Sequence, residues 1–493
     1  MMPQQLLPLL VMLPLAASIV CLLVNSSTTS RWVSMGFAIL LLILASLLLV
    51  DLRASGAAFQ VALGGWQPPL GILLKADGLA TLMIILTALL NLVLCLYGLG
   101  YFNSKNQPKF YLPLWWLLIA ALNALFLSAD TFNIYVTLEL VGLSAVALVA
   151  MQESTAALTG AFRYLLVSLS GSLGYLLGIA LLYRAYGTLD LYQLGAMVSF
   201  DPLGVFALGL MTIGLLAKTA LVPLHFWLPA AHASAPAPVS AILSALVVKA
   251  SFYLLLRFWF EVFGHYPLTL GWQLMGVLGA LAIIWGSIQA IRAQRVKLLV
   301  AYSTVAQLGY LFLCFPLFGM DVQTGQIATV AFHAVIYIII AHACAKAAMF
   351  LVAGSIAREY GHDHIHRLEG IARHLPIAVF AFAIAGASLI GLPPSGGFIA
   401  KWLLLKAAVI SGQWWWAVVV LAGGLAAAVY VFRILNLALQ DSQSEDVGET
   451  LSQSALLPLS AMALALLAIG LGFHATSVLS LADIGFNSAG VGQ

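Results

Sequence analysis

MTIGLLAKTALVPLHFWLPAAHASAPAP, residues 211–238, sets Lys218 inside an apolar run and follows it, five residues on, with Pro223. A proline in a helix interior removes an amide donor and clashes with the carbonyl one turn back, so the helix should break beside a buried amine. SLIGLPPSGGFIAKWLLLK, residues 388–406, repeats the design: Pro393-Pro394 and Gly396-Gly397 interrupt an apolar run just before Lys401. Broken backbone at membrane depth is tolerated only where protein buries it or where it lines a wet cavity. Paired interruptions in two halves of a chain are the sequence mark of an ion site between inverted repeats. Lys218 and Lys401 are 183 residues apart, a separation that suits two five-span units.

Composition supports a membrane setting throughout. Of 493 residues, 63% are hydrophobic and 8% charged, with a mean hydropathy of +1.06. A soluble domain carries about 25% charged residues, so a water-soluble enzyme, a disordered chain and a nucleic-acid binder are excluded. The apolar runs recur at the ~20-residue length of a spanning helix and are too unbroken for barrel strands. Marking their ends gives fourteen spans: 6–24, 33–50, 78–101, 112–129, 131–151, 161–186, 204–222, 237–262, 271–291, 297–316, 326–355, 377–411, 414–438 and 454–474. The fold class is therefore an all-α membrane protein, with helices 7 and 12 broken. The first run reads as a retained helix, since no positive n-region or close cleavage site accompanies it. The longest polar stretches, 356–376 and 439–453, read as loops or surface helices.

The expected organisation is an N-terminal three-helix segment at 1–110, five-helix units at 111–265 and 266–440, and a final helix with its tail at 441–493. Basic residues orient it, because cytoplasmic loops retain Lys and Arg. Eleven follow odd-numbered spans: Arg31, Lys105, Lys109, Arg163, Arg292, Arg295, Lys297, Arg358, Arg367, Arg373 and Arg433. Only four, Arg53, Lys75, Arg184 and Arg257, follow even-numbered ones. Both termini then face the non-cytoplasmic side of a prokaryotic inner membrane.

The remaining basic residues, Lys218, Lys249, Lys346, Lys401 and Lys406, fall in or at the edge of spans, and Glu139 is the acid expected among them. A charge at the bilayer centre costs about 2.5–3.5 kcal/mol on insertion scales, so these residues need a compensating role. Lys406 points about 140° away from Lys401 on a helix and is read as snorkelling to the interface. Burial disfavours a charged amine and a nearby carboxylate favours it, so a Glu139–Lys218 pair that opens and closes is a proton switch. Lys249 lies mid-span near Ser244. His342 and Lys346, four residues apart, share one helix face, whereas His333 lies about 180° away and is an outlying candidate.

Metal and cofactor sites are not expected. Cys21, Cys95, Cys314 and Cys344 lie in apolar runs without ligand spacing, and no Rossmann glycines, CxxC or P-loop mark a redox centre. His362, His364 and His366 read as a solvated loop. His225 and His232 stand beside the first break, as proton-uptake or packing residues.

The chain resembles the antiporter-like membrane subunits shared by respiratory complex I, Mrp-type cation/proton antiporters and membrane-bound energy-converting hydrogenases. The likeness spans roughly 75–475 and rests on FNIYVTLEL, AKTALVPLHFWLPAAHASAPAPVSA, LVVKASFYLLLRF, KLLVAYSTVAQLGY, AHACAKAAMFLVAGS and GLPPSGGFIAKW. It implies about fourteen helices with two inverted five-helix repeats and a central polar axis. It also implies Glu139 and Lys218 as the switch pair, Lys249, His342 and Lys346 as the connection, and Lys401 leading to the exit. The partners implied are other membrane subunits of one complex, the lipid bilayer, protons and, in the Mrp reading, Na+; no nucleic acid and no cofactor is implied. Lysine at position 401 makes the Mrp D-type or hydrogenase-type branch more similar than the complex I M-type subunit. The absence of a long lateral helix after the last span weighs against the L-type complex I and A-type Mrp subunits. The rival readings are an antiporter-like subunit of an NADH-quinone oxidoreductase, serving a proton-pumping translocase, or of an energy-converting hydrogenase; a stand-alone transporter of a small solute; and a scaffold that has lost transport.

Overall fold

The computed structural model of the chain describes residues 3–69, 71–102, 107–319, 325–440 and 454–485. Lys105, the polar stretch 441–453 and the end of the tail from 486, named above, lie outside them. Where hydrocarbon offers no hydrogen bonds, the backbone must satisfy itself, and uninterrupted helix does so. Helices α1 (Pro3–Leu23) and α2 (Ser27–Ser55) open the chain. An antiparallel hairpin of β1 (Phe59–Ala62) and β2 (Leu73–Ala76) follows, with Gln60 opposite Lys75. The hairpin is an addition to the all-helical expectation. Next come α3 (Gly78–Tyr101), α4 (Tyr111–Leu127), α5 (Thr131–Ala150), α6 (Thr155–Tyr186) and the short α7 (Leu191–Met197).

The first broken helix is α8 (Pro202–Thr219) and α9 (Trp227–Ser234). Helices α10 (Ala237–Ile242) and α11 (Val248–Arg257) join through a π-helical stretch, Leu243–Val247, and end in another, Phe258–Val262. Then follow α12 (Thr269–Arg292), α13 (Val296–Phe312) with its extension α14 (Phe315–Phe318), and α15 (Gln326–Tyr360). The second broken helix is α16 (Pro376–Ile390) and α17 (Gly396–Ile410), before α18 (Trp414–Leu439), α19 (Leu456–Gly470) and α20 (Ala475–Ala482). Helix starts follow capping chemistry: the side chains of Ser26, Asp77, Asp130, Ser154, Asp201 and Ser395 each accept a first-turn amide. Among the described residues twelve helical segments are long and apolar enough to cross a membrane, and Tyr111–Leu127 and Pro376–Ile390 are shorter apolar helices.

Burial sorts these helices into a centre and a periphery. The most apolar windows of Ala237–Val262 and Gln326–Tyr360 are wholly buried, and that of Val296–Phe318 nearly so, whereas α1, α2, α6, α12, α18 and α19 expose one side. An apolar helix buried all round belongs in the interior of a membrane bundle. The continuous helix α10–α11, together with α13 and α15, therefore forms the core, with α13 and α10 both packed on α15.

Three sequence readings need correction. Glu139 is not the only acid drawn into the bundle: Asp77 is fully buried at the start of α3 and Glu261 lies in the last turn of the Ala237–Val262 helix. Both turn toward Arg257, which is buried in α11 and not a loop residue. Lys297 is likewise buried in the first turn of α13, where its Nζ donates to the Ala235 carbonyl at 2.9 Å. In each case a basic residue near a helix end found an internal carboxylate or carbonyl, and loop charge counting cannot foresee that.

Candidate functional site

The first break forms where expected. Helix α8 stops at Thr219, Ala220 takes a left-handed conformation (φ 58°), and the indole N–H of Trp227 donates at 3.0 Å to the Ala217 carbonyl, which also accepts the Ala220 amide. Lys218, buried in the last turn, projects across to α5 and α6. Its Nζ lies 3.3 Å from Glu139 Oε1, 3.0 Å from Ser168 Oγ and 3.4 Å from the Leu138 carbonyl. Glu139 is partly exposed, so one member of the pair is enclosed and the other reaches the edge.

Lys249 follows the π-helical stretch, a departure from α-helix that recurs at functional sites. Its Nζ donates to the Ser244 carbonyl at 2.6 Å, and the Ser244 hydroxyl is 2.9 Å from that of Thr304 on α13. The preceding residue, Ser303, receives Lys346 Nζ from α15 in a close hydrogen bond, with the Val300 carbonyl at 3.3 Å as second acceptor. One turn later Gln307 Nε2 donates to the Leu389 carbonyl at 3.4 Å, and Lys401 Nζ donates to the same oxygen at 2.9 Å. Lys401 also bonds the Ile390 carbonyl at 3.0 Å and lies 4.7 Å over the Tyr310 ring. Its ammonium thus caps the C-terminal carbonyls of α16, where the helix dipole favours a cation. The close approach of α17 to α16 needs Gly397, because a Cβ there would lie 1.8 Å from the Ser388 carbonyl oxygen.

His342 is buried within electrostatic reach of both Lys249 and Lys346, and neither ring nitrogen has a hydrogen-bond partner among the described residues. Buried polar atoms in native proteins are nearly always bonded, so a side chain left open in this way is a mark of function or of bound solvent. The structure therefore brings Glu139 together with Lys218, and gathers Lys249, His342, Lys346 and Lys401 around α13. No side-chain hydrogen bond joins Lys218 to Lys249 among the described residues. His333 stands apart: its Nε2 is 2.8 Å from Asp483 Oδ1, beyond the end of α20. Lys406 is exposed on α17, as snorkelling requires.

Lys249, Lys346 and Lys401, with the polar side chains of α13 that line the way between them, form an amine rail, and its α13 members were not foreseen from the sequence. Ser303, Thr304 and Gln307 lie in YSTVAQLGY, and their i, i+1, i+4 spacing puts three polar groups on adjoining helix faces within an apolar run; that signal was present. Ser168 is one of three serines in α6, with Ser170 and Ser172, and nothing in that run set it apart. His232 is buried and stacked on Phe350 with centroids 4.8 Å apart, while His225 Nε2 accepts from the Trp285 indole at 3.0 Å. In the histidine loop, Asp363 binds Arg295 at 2.6 Å and the Lys297 backbone N–H at 3.0 Å, tying that loop to the start of α13. No group of three or more His, Cys, Asp or Glu suited to a metal occurs among the described residues.

A second buried cluster lies at the other end of α11. Arg257 binds Asp77 at 2.7 Å, Glu261 in a close contact, and the Tyr253 hydroxyl at 2.9 Å; Lys75 is 3.8 Å from Asp77. Burial alone would raise the Asp77 carboxyl, but the Arg257 guanidinium and Lys75 hold it below the usual carboxylate range. Burial moves the Lys75 amine down, against the pull of Asp77 and Glu261.

The family described as NADH:quinone oxidoreductase/Mrp antiporter, transmembrane, matches residues 128–426, a stretch holding every residue of the rail. NADH-quinone oxidoreductase subunit N of Desulforudis audaxviator is 33% identical over 439 residues, covering 87% of this chain and 85% of the relative. The D-type subunit of the Na(+)/H(+) antiporter of Alkalihalophilus pseudofirmus is 29% identical over 378 residues, covering 76% and 74%. In fold, the chain matches a subunit in the structure of the Mrp complex from Dietzia sp., with a TM-score of 0.88 at 24% identity over 100% of this chain and 97% of that one.

Proposed function

The chain belongs to the NADH:quinone oxidoreductase/Mrp antiporter membrane family, and from that premise we propose that it is a proton-translocating antiporter-like subunit of a multisubunit membrane complex, first of all the D-type subunit of an Mrp cation/proton antiporter. The observation that carries this is the run of amines along α13: Lys249, Lys346 and Lys401, each held by neutral oxygens, with Lys218 alone set against a carboxylate. A closed Glu139–Lys218 pair keeps the Lys218 proton. When Glu139 swings away, burial disfavours the ammonium and the proton is released toward Lys249. His342, between Lys249 and Lys346, accepts on one ring nitrogen and donates from the other. From Lys346 the proton crosses by bridging water, oriented by the Ser303 hydroxyl and the Gln307 side chain, to Lys401, which the Leu389 carbonyl holds in place and which passes the proton to the exit.

In this reading Asp483 holds His333 outside the path, and His225 and His232 flank proton uptake at the first break. The units 111–265 and 266–440 are inverted repeats, each with one interrupted helix and one lysine at the interruption. Both termini face the non-cytoplasmic side of the inner membrane, and Arg31, Lys109, Arg163, Arg292, Arg295, Arg358, Arg367, Arg373 and Arg433 lie toward the cytoplasm. The coupled ion, Na+ in the Mrp case, is moved with partner subunits. A second reading, a subunit of an NADH-quinone oxidoreductase, is favoured by the 33% identity to a subunit N; the subunits that co-purify with the chain separate the two.

Lys218→Ala and Glu139→Gln should each lower ion transport by the assembled complex in proteoliposomes about ten-fold or more, the effect of ~1.4 kcal/mol on the barrier. Undiminished transport by either variant, with the complex intact, overturns the proposal.

A further inference from the structure

A cavity of about 470 Å³ opens on the membrane-facing side of the bundle, between α6 and α8, and lies apart from the amine rail. Its walls are apolar apart from two residues on α6: Arg163 at one end and Ser170 partway along. From Arg163 to Gly174, the far end on α6, is eleven residues of helix, about 16 Å. That is half of the ~30 Å hydrocarbon core, the depth of a single leaflet. Arg163 is exposed and makes no hydrogen bond or ion pair among the described residues. Phe226 and Leu224, from the first break, line the cavity, and Ile213 and Leu210 form the wall on α8.

The hollow exists because glycines meet along its floor. A Cβ on Gly171 would lie 2.6 Å from the Gly214 carbonyl oxygen, so the two backbones touch and no side chain fills the space above them. The same Cβ position is 3.3 Å from Lys218 Cγ, which sets the floor of the cavity back to back with the stem of the switch lysine.

We propose that the α6–α8 groove is a binding site for an anionic phospholipid, with one acyl chain laid along Gly174, Leu210 and Ile213 and the headgroup phosphate paired with Arg163. Three features fit this occupant. The groove is one leaflet deep, its lining is that of a hydrocarbon site, and its one charge is an unpaired cation of the type that binds phosphate in a bidentate manner. A seated chain covers the thin glycine wall behind Lys218 and keeps that lysine open only toward Glu139 and the bundle interior. The site does not depend on the proposed direction or partner of transport.

The test uses the purified full chain, delipidated in detergent and titrated by native mass spectrometry with dioleoylphosphatidylglycerol or dioleoylphosphatidylcholine. The wild type should hold one phosphatidylglycerol with about ten-fold preference over phosphatidylcholine, the value of one charge-assisted contact. Arg163→Gln should bring the two lipids to within about two-fold of each other. Gly174→Leu, whose Cβ would stand 3.3 Å from the Leu210 carbonyl oxygen, should fill the groove and remove the preferred site for both lipids. If that variant fails to fold, Ile213→Trp, at an exposed position on the opposite wall, blocks the groove instead. Retained preference in Arg163→Gln, or a retained site in the blocked variant, overturns the proposal. So does cross-linking from Ile213→Cys in the assembled complex to a partner helix in place of lipid.

Discussion

Removing Arg257 should unfold the protein more readily than removing any lysine of the rail. Arg257 is buried against Asp77, Glu261 and the Tyr253 hydroxyl, and Asp77 has no exposed surface at all. Arg257→Met fills a similar volume but strands Asp77 and Glu261 with only Lys75 nearby, 3.8 Å from Asp77. Breaking a buried pair by removing one partner costs about 3–5 kcal/mol, because the remaining charge has lost its compensation. Asp77→Asn is milder, about 1–2 kcal/mol, since asparagine still caps α3 through the oxygen that accepts from Ala80. The double variant Arg257→Met/Asp77→Asn should then cost less than the sum by about 2 kcal/mol, and adding Glu261→Gln should recover most of the rest. Unfolding in mixed micelles with increasing SDS, followed by circular dichroism, measures all the members of this cycle. A coupling energy below about 0.5 kcal/mol would mean the two sites are independent and would refute the argument.

The same carboxylate sets an acid limit. Because Asp77 is held below its ordinary value of 3.8, its ionised form stabilises the fold at every pH above that value, and the contribution is lost as pH falls below it through the folded-state value. Melting temperature should be insensitive to this group from pH 5 to 8 and fall below about pH 4 in the wild type, with a smaller fall in Asp77→Asn. Ser303→Ala removes one of two acceptors of Lys346 and should slow transport about ten-fold while leaving assembly intact, read as ion flux per complex. Lys401→Arg keeps a donor to the Leu389 and Ile390 carbonyls but never releases its proton, so transport should fall by at least about ten-fold with little change in melting temperature. Normal flux in Lys401→Arg would show that Lys401 acts only as a helix cap.

The features legible in the sequence were those that act on their own neighbourhood. Pro223 and the Pro393–Gly397 run break a helix wherever they stand, so both interruptions and the amines beside them could be placed without knowing the fold. Lys249 and the His342/Lys346 pair were found because a charge in an apolar run is costly regardless of its partner. What stayed hidden depends on distant pairing. Asp77 and Arg257 are 180 residues apart, so neither sequence neighbourhood predicts that one neutralises the other. Lys297 reads as a loop charge until the Ala235 carbonyl is seen to face it. His333 was doubtful on helix geometry alone, but its actual partner, Asp483, comes from beyond α20. The hairpin at 59–76 escaped because two four-residue strands carry too little pattern to stand out beside helices of 29 and 24 residues.

The two buried cation clusters explain each other. Arg257 has two carboxylates and a phenol around it, and a guanidinium stays charged under any condition a protein meets; such a cluster holds its charges and fixes β2, α3 and α11 together. Lys249, Lys346 and Lys401 have carbonyls, hydroxyls and an aromatic face, partners that bind an ammonium yet leave a neutral amine without large penalty. A carboxylate at each would lock the proton in place, and an arginine at each would never give it up. Lys218 has the single carboxylate on the path, and Glu139 is the member with access to the edge. In the mechanism we propose, this asymmetry places control at one end: a movable acid decides when the first amine holds its proton, and three amines with neutral partners pass on whatever it releases.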